Sequence, residues 1–326
     1  MGGFVDLLER IASVLSILGE RPGTLPPVPS MISPHVRGGD IYTVVLVTTI
    51  LLMVRLALDV SLLPALLPKT MRRSRQRKVS ENVFYTAFYL ATTILGYVVY
   101  TREPWSLNLF SNEPQVLPLF SPFPAPLSPL MRMYFLTELG FYVGALLFLV
   151  IDEHRKDFAI MVVHHVVSIC LVVGSYLGGW VRFGAIVLAL HDVGDVFLYA
   201  AKAAHNLGGC YGADTGSFVL FAVTFYVTRL LCLPRILYTL CFETFGHLLE
   251  NPDFNSWAAY SHLYLPQLLG FGVGLNILLL LHCYWFCLVL KMIYRQLFGN
   301  KSISEQGDVR SDSESDSDEE LATHED

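Results

Sequence analysis

Charge is what this sequence has least of. Of its 326 residues 15% are charged and 53% apolar, where an average soluble domain carries about 25% charged and about 45–50% apolar residues. The few charges are also unevenly spread, because long runs almost free of them alternate with short charged clusters. That pattern excludes the one or two soluble domains the length would allow and reads as a polytopic membrane protein. Cysteine is scarce as well. The six (Cys170, Cys210, Cys232, Cys241, Cys283 and Cys287) lie mostly in apolar runs and form no CxxC pair. Disulfide and zinc frameworks are thereby excluded, and these thiols read as small buried hydrophobes. No internal repeat is visible. No cleavable leader is expected either, since the first apolar segment, "GFVDLLERIASVLSILG", is broken by Asp6, Glu9 and Arg10.

The net charge of −6 is concentrated in the run "SDSESDSDEE" (Ser311–Glu320), and the rest of the chain is close to neutral. Nothing in that balance points to a nucleic-acid partner. Local clusters are more informative than the sum.

Residues 4–18 set Phe4, Leu7, Leu8, Ile11, Val14, Leu15 and Leu18 at helical spacing, an amphipathic stripe suited to a membrane surface or to a core-facing helix. A Pro-rich linker follows, completing an N-terminal segment over 1–40. Seven apolar runs near the ~20 residues that a bilayer core requires come next. They lie at about 41–63, 83–101, 133–151, 158–178, 181–204, 216–240 and 265–290. The first (within 41–68) stands before a domain over 69–298 that holds the other six. An acidic tail over 299–326 reads as disordered. Between the second and third runs the segment "EPWSLNLFSNEPQVLPLFSPFPAPLSPL" carries seven prolines, which exclude a regular element there. Only Gly178, Gly179 and Trp180 separate the fourth run from the fifth, so these two should form an antiparallel hairpin.

Positive charge orients the chain. "KTMRRSRQRK" (Lys69–Lys78) holds six basic residues, and the 242–264 loop holds none. By the positive-inside rule the first is cytosolic. Threading the spans from there puts the N-terminus on the lumenal or extracellular side, with "DEHRKD" (Asp152–Asp157), Lys202 and the C-terminus in the cytosol. The sequon Asn300-Lys301-Ser302 is then cytosolic and unglycosylated.

Ionisable residues inside membrane spans are costly and mark function by default. Here they gather on the fourth and fifth runs. Asp157, His164, Ser168 and Ser175 share one face of a helix, and His165 sits ~100° round from it. On the fifth, "LHDVGDVFLYAAK" places His191, Asp195, Tyr199 and Lys202 in one stripe with Asp192 at its edge. His164 and His165 lie 14–15 residues before Gly179, and the His191–Asp195 cluster is centred 14 residues after it. At ~1.5 Å per residue the two clusters come level across the hairpin, roughly 10–15 Å below the cytosolic surface. A lone intramembrane histidine is commonly a packing residue, but packing does not explain four or five ionisable groups at one depth. A di-metal site would use such ligands, yet the HxxxH and HxxHH boxes of membrane di-iron enzymes are missing, so no metal is expected. A proton-coupled transporter would use them too, but the paired broken helices of such proteins are not visible.

The stretch "RKDFAIMVVHHVVSICLVVGSYLGGWVRFGAIVLALHDVGDVFLYAAK" (Arg155–Lys202) resembles the signature of ceramide synthases, in the longevity-assurance or TLC-domain family. "ENVFYTAFY", "EPW" (Glu103–Trp105), "YVTRLLCLP" and "LHCYWFCLVLKMIYRQ" resemble it too, so the likeness runs over about 69–298. Its combination of K-D-F, H-H and H-D-x-x-D is specific, and non-catalytic TLC relatives, with lipid-sensing or transport roles, are expected to lack the full set. The resemblance implies an all-α polytopic protein of about seven spans, six of them bundled around an intramembrane tunnel. It implies an endoplasmic reticulum enzyme that moves a fatty acyl group from acyl-CoA to the amine of a sphingoid base. Catalytic roles fall by the motif on His164, His165, His191, Asp192 and Asp195. No resident cofactor is implied, acyl-CoA being a co-substrate. Membrane lipids and a homo- or heterodimer with related synthases are the implied partners.

That chemistry suits the residues. Amide formation from a thioester needs a free amine and a stabilised oxyanion. A buried neutral imidazole could take the amine's proton or attack the thioester itself. His164, on the polar face, is expected in that role, with His165 turned towards Asp192, Asp195 or the oxyanion. Asp157, Ser168, Tyr199, Lys202 and Arg229 are expected to bind substrate. Arg155 and Lys156, with Lys202, Lys291 and Arg295, could meet CoA phosphates, although basic residues there also serve orientation and snorkelling. Arg229, about 14 residues into its span, should pair with a buried acid or with backbone carbonyls. The serines of the tail, each followed by an acid, suit an acidophilic kinase.

Overall fold

The computed structural model describes residues 32–103, 119, 124–151, 157–208, 213–244 and 261–298. The N-terminal amphipathic stripe, Arg155, Lys156, residues 245–260 and the acidic tail lie outside the described residues. Within them the chain is all-helical. Seven helices are long and apolar enough to cross a membrane: α1 (Asp40–Leu66), α2 (Arg73–Arg102), α3 (Pro129–Ile151), α4 (Phe158–Gly178), α5 (Val181–Asn206), α6 (Ala213–Glu243) and α7 (Ser261–Phe298). Each contains one of the seven apolar runs. Two extend by eight residues or more at one end past the runs that announce them. α2 starts ten residues early, through the basic Arg73–Lys78, and α7 continues to Phe298. Arg, Lys and Gln are good helix formers, so these helices extend past their apolar stretches.

The α4–α5 turn is built by glycine. Gly179 adopts φ +81°, and Trp180 N–H bonds the Ser175 carbonyl at 2.8 Å, closing a Schellman-type cap. A Cβ at Gly179 would meet Pro124 Cβ at 2.5 Å, so the position is closed to other residues on both counts. Two strands of backbone strap this hairpin end: Ser33 N–H bonds Leu177 O at 2.6 Å, and Ala125 N–H bonds Gly179 O at 3.2 Å. One polar knot ties three helices beside it. Arg132 Nη1 reaches Asp40 Oδ2 at 2.5 Å, and the Tyr176 hydroxyl donates to the same oxygen at 2.6 Å.

α5 runs through the middle of the bundle, packing most extensively on α2 and α6. The core is heaviest where α3 meets it, at Met131, Tyr134 and Phe135, joined by Leu233, Ile236 and Leu240 of α6. α1 leans on α3 from outside, with side chains such as Ile41 and Leu46 turned outward, as a lipid-facing helix requires. Its anchor is Arg55, buried under the rings of Phe84 and Phe148 and bonded to Asp59 Oδ2 at 3.0 Å. α2–α7 thus form a six-helix bundle with α1 on its flank.

The hairpin does not make its site alone. α4 packs more heavily against α3 and α7 than against α5, and His164 faces the last helix. His282 of α7 lies between His164 and His191, so α7 completes a site that the sequence assigned to α4 and α5 alone.

Candidate active site

Three helices deliver four imidazoles to one place. On α4 the His164 and His165 rings lie 5.6 Å apart, edge to face. His164 then meets two residues of α7: Trp285 at 5.1 Å and His282 at 6.2 Å. His282 lies 5.0 Å from His191 of α5. Consecutive ring contacts therefore run His165–His164–His282–His191. His282 is fully buried, with Phe225 of α6 closing its remaining side at 5.8 Å.

Hydrogen bonds fix the tautomers of two of these rings. His165 Nδ1 lies 2.8 Å from Met161 O, and His191 Nδ1 lies 2.7 Å from Val187 O. A carbonyl oxygen only accepts, so each Nδ1 carries the hydrogen and each Nε2 carries a lone pair. Helical geometry produces both bonds, since each reaches back four residues along its own helix.

Acids sit behind the imidazoles. Asp195 is paired with Arg229 Nη2 at 2.8 Å, and the same guanidinium donates to the His191 carbonyl at 2.9 Å while lying 4.9 Å over Phe225. Arg229 thus finds both partners expected of it, an acid and a backbone carbonyl. It lies in a π-helical stretch, Tyr226–Cys232, whose extra residue turns Thr228, Arg229 and Cys232 into the bundle together. Asp192 is wholly buried and faces α3, where the Tyr134 hydroxyl donates to its Oδ2 at 3.3 Å. Beside it on α3 is Glu138, equally buried.

The remaining sequence-predicted residues divide. Asp157, Ser168 and Ser175 are buried on the same face of α4, and both serines border a cavity. Tyr199 and Lys202 are turned elsewhere. Tyr199 stacks on Tyr85 (4.6 Å) and Tyr89 (5.6 Å) of α2, with Lys202 5.5 Å over its ring. These two belong to the α2–α5 seam. His282 and Glu138 were missed from sequence. Each is an ionisable residue inside the apolar stretch of its span, and the cost of burying it there was the available signal.

An apolar cavity opens from this cluster towards the hairpin end. It encloses about 620 Å³ of empty space including its mouth, is lined from α3 to α7, and extends from His191 and Tyr142 to Trp180. At its far end Trp180 Nε1 donates to Gln267 Oε1 at 2.8 Å, fixing the indole. Among the described residues no group of three or more histidines, cysteines and acids is arranged to hold a metal ion. The arrangement suits a polar reaction at the head of a long apolar chain.

A profile of the TLC domain matches residues 78–291. The chain belongs to the TLC-domain family. Its curated relatives include ceramide synthase LOH2 of Arabidopsis thaliana, 38% identical over 58% of this chain and 60% of that protein. Ceramide synthase 4 of Homo sapiens is 37% identical over 60% of this chain and 46% of its own length, and ceramide synthase LOH1 of Arabidopsis thaliana is 32% identical over 70% of each. The chain spans between two fifths and three fifths of the length of LOH2 and of the ceramide synthase 4 proteins it matches. The matched 78–291 region contains every helix that contributes to the imidazole cluster.

Proposed function

We propose that this protein is a ceramide synthase, transferring a fatty acyl group from acyl-CoA to the amine of a sphingoid base and releasing ceramide and CoA. The observation that carries the reading is the convergence of His164, His165, His191 and His282, with His191 at the head of an apolar cavity, in a chain whose relatives are named ceramide synthases. The acyl chain lies in the cavity, where apolar walls replace water around it. Its thioester stands at the imidazoles. His164 Nε2 attacks the thioester carbonyl and CoA leaves as the thiolate; the free amine then displaces the imidazole to form the amide, and the proton it gives up passes by way of His165 to the thiolate, completing the thiol. His165, with its lone pair held on Nε2, accepts the proton that the amine loses. The amine arrives as a cation, and the carboxyls of Asp192 and Asp195 draw it in.

Orientation follows the same reading: the basic Lys69–Lys78 end faces the cytosol, where acyl-CoA is found, and the hairpin end faces the lumen of the endoplasmic reticulum. Arg155, Lys156 and Lys291 would meet CoA phosphates there. The tail serines would serve a cytosolic acidophilic kinase, and pairing with a second synthase would occur within the bilayer.

The test is direct. Purified protein in lipid nanodiscs receives sphinganine and radiolabelled acyl-CoA of several chain lengths. Labelled ceramide is expected for at least one length. Folded protein that yields none with any length overturns the reading.

A further inference from the structure

Four imidazole nitrogens at this site are buried without a partner: His164 Nδ1, His191 Nε2 and both nitrogens of His282. They come from three helices, and the rings that carry them are consecutive neighbours at 6.2 and 5.0 Å. Unpaired buried nitrogens are costly. Four of them on adjacent rings point to one shared hydrogen-bonding arrangement.

We propose that His282 is a positioning residue that links His164 to His191 and thereby sets the tautomer of His164. The inference rests on the acyl-transfer reading above and adds a residue to it. Its direction follows from the one fixed end. His191 Nδ1 donates to Val187 O, so His191 Nε2 can only accept. The hydrogen it accepts comes from His282. A neutral imidazole has one N–H, so the other nitrogen of His282 must accept in turn, and His164 Nδ1–H is the donor that faces it. With its hydrogen held at Nδ1, His164 keeps its lone pair at Nε2, the atom required for attack or proton acceptance. Each link closes either by a small ring rotation or through one water, which needs two to four polar partners and finds them here. His282 does not line the cavity; Phe225 and Trp285 flank it at 5.8 and 6.1 Å, and Trp285 Nε1, itself buried without a partner, can add a donor to the arrangement. Its contribution is therefore to hydrogen bonding rather than to substrate contact.

Two substitutions separate this role from packing. His282→Phe keeps the ring's shape and apolar contacts but removes both nitrogens, whereas His282→Gln keeps a donor and an acceptor in a poorer shape. If His282 positions His164, Phe should lower kcat for N-acyl transfer about 100-fold and Gln less than about 10-fold, with KM for acyl-CoA unchanged in both. A purely structural role predicts the reverse order, and Phe equal to or better than Gln overturns the proposal. Nitrogen-15 NMR of labelled histidine provides a readout that needs neither turnover nor a folded variant. In the wild-type protein the His164 ring should carry its hydrogen on Nδ1, and a hydrogen found on Nε2 overturns the proposal. Failure of the wild-type protein to make ceramide counts instead against the function, and leaves the tautomer measurement to stand or fall separately.

Discussion

Arg229 is the cation of a site otherwise made of acids and imidazoles, and removing it should expose how much the cluster depends on one ion pair. The perturbation is Arg229→Met, which keeps the length of the side chain and discards its charge. Three contacts go with it: the 2.8 Å pair with Asp195, the 2.9 Å bond to the His191 carbonyl and the stacking over Phe225. Both charged side chains are largely buried, at 6% and 16% exposure, so solvent screens the pair weakly. Breaking such a pair from one side costs about 3–5 kcal/mol, because the other charge stays buried. Asp195→Asn alone should cost a similar amount, by leaving the guanidinium uncompensated. The double variant removes both charges and should be more stable than the sum of the two losses predicts, by at least about 1.5 kcal/mol. It should still lack activity, since the brace on the His191 carbonyl is gone. Denaturant unfolding of the four proteins in the same lipid, with acyl transfer measured alongside, gives the cycle. Additive losses within about 0.5 kcal/mol would refute the reasoning. So would full activity in the double variant.

Trp180→Ala breaks the bond to Gln267 and opens the floor of the cavity, so the preferred acyl chain should lengthen in competition assays with mixed acyl-CoAs; an unchanged product profile would remove Trp180 from chain selection. Glu138→Gln deletes one of two neighbouring buried carboxyls and should raise KM for the sphingoid base several-fold while leaving CoA release from acyl-CoA alone unchanged; equal loss in both steps would mark Glu138 as structural. His164→Ala should reduce turnover at least 100-fold without loss of folded protein, and mass spectrometry of wild type given acyl-CoA without amine should find one acyl group on His164. An acyl group on His165 instead would exchange the roles of the pair. Gly179→Ala should destabilise the protein by more than about 1 kcal/mol, from the left-handed backbone together with the clash against Pro124, and an unchanged unfolding midpoint would argue against this hairpin geometry.

Hydropathy made the seven spans legible because membrane helices declare themselves residue by residue: each must carry its own apolar stretch whatever it packs against. Depth was legible for the same reason, since a short turn and a fixed rise bring His164 and His191 level by counting. Direction was not. Asp192, Asp195 and Tyr199 share one stripe of α5, yet they meet α3, α6 and α2 respectively, because α5 is surrounded and a stripe on a central helix has several neighbours. His282 lies 91 positions from His191, and no periodicity within α7 could announce a contact made only when the bundle closes. The π-helical turn around Arg229 was equally hidden, as one inserted residue leaves an apolar run looking unbroken.

The central claim is that the imidazole cluster performs N-acyl transfer. Wild type and His164→Ala, matched for folded protein in nanodiscs, can be given sphinganine and labelled acyl-CoA while ceramide and CoA are counted together. One ceramide for each CoA from wild type, with neither from the variant, is the predicted result. Ceramide formed equally by both proteins, or CoA released by wild type with no ceramide, would contradict it.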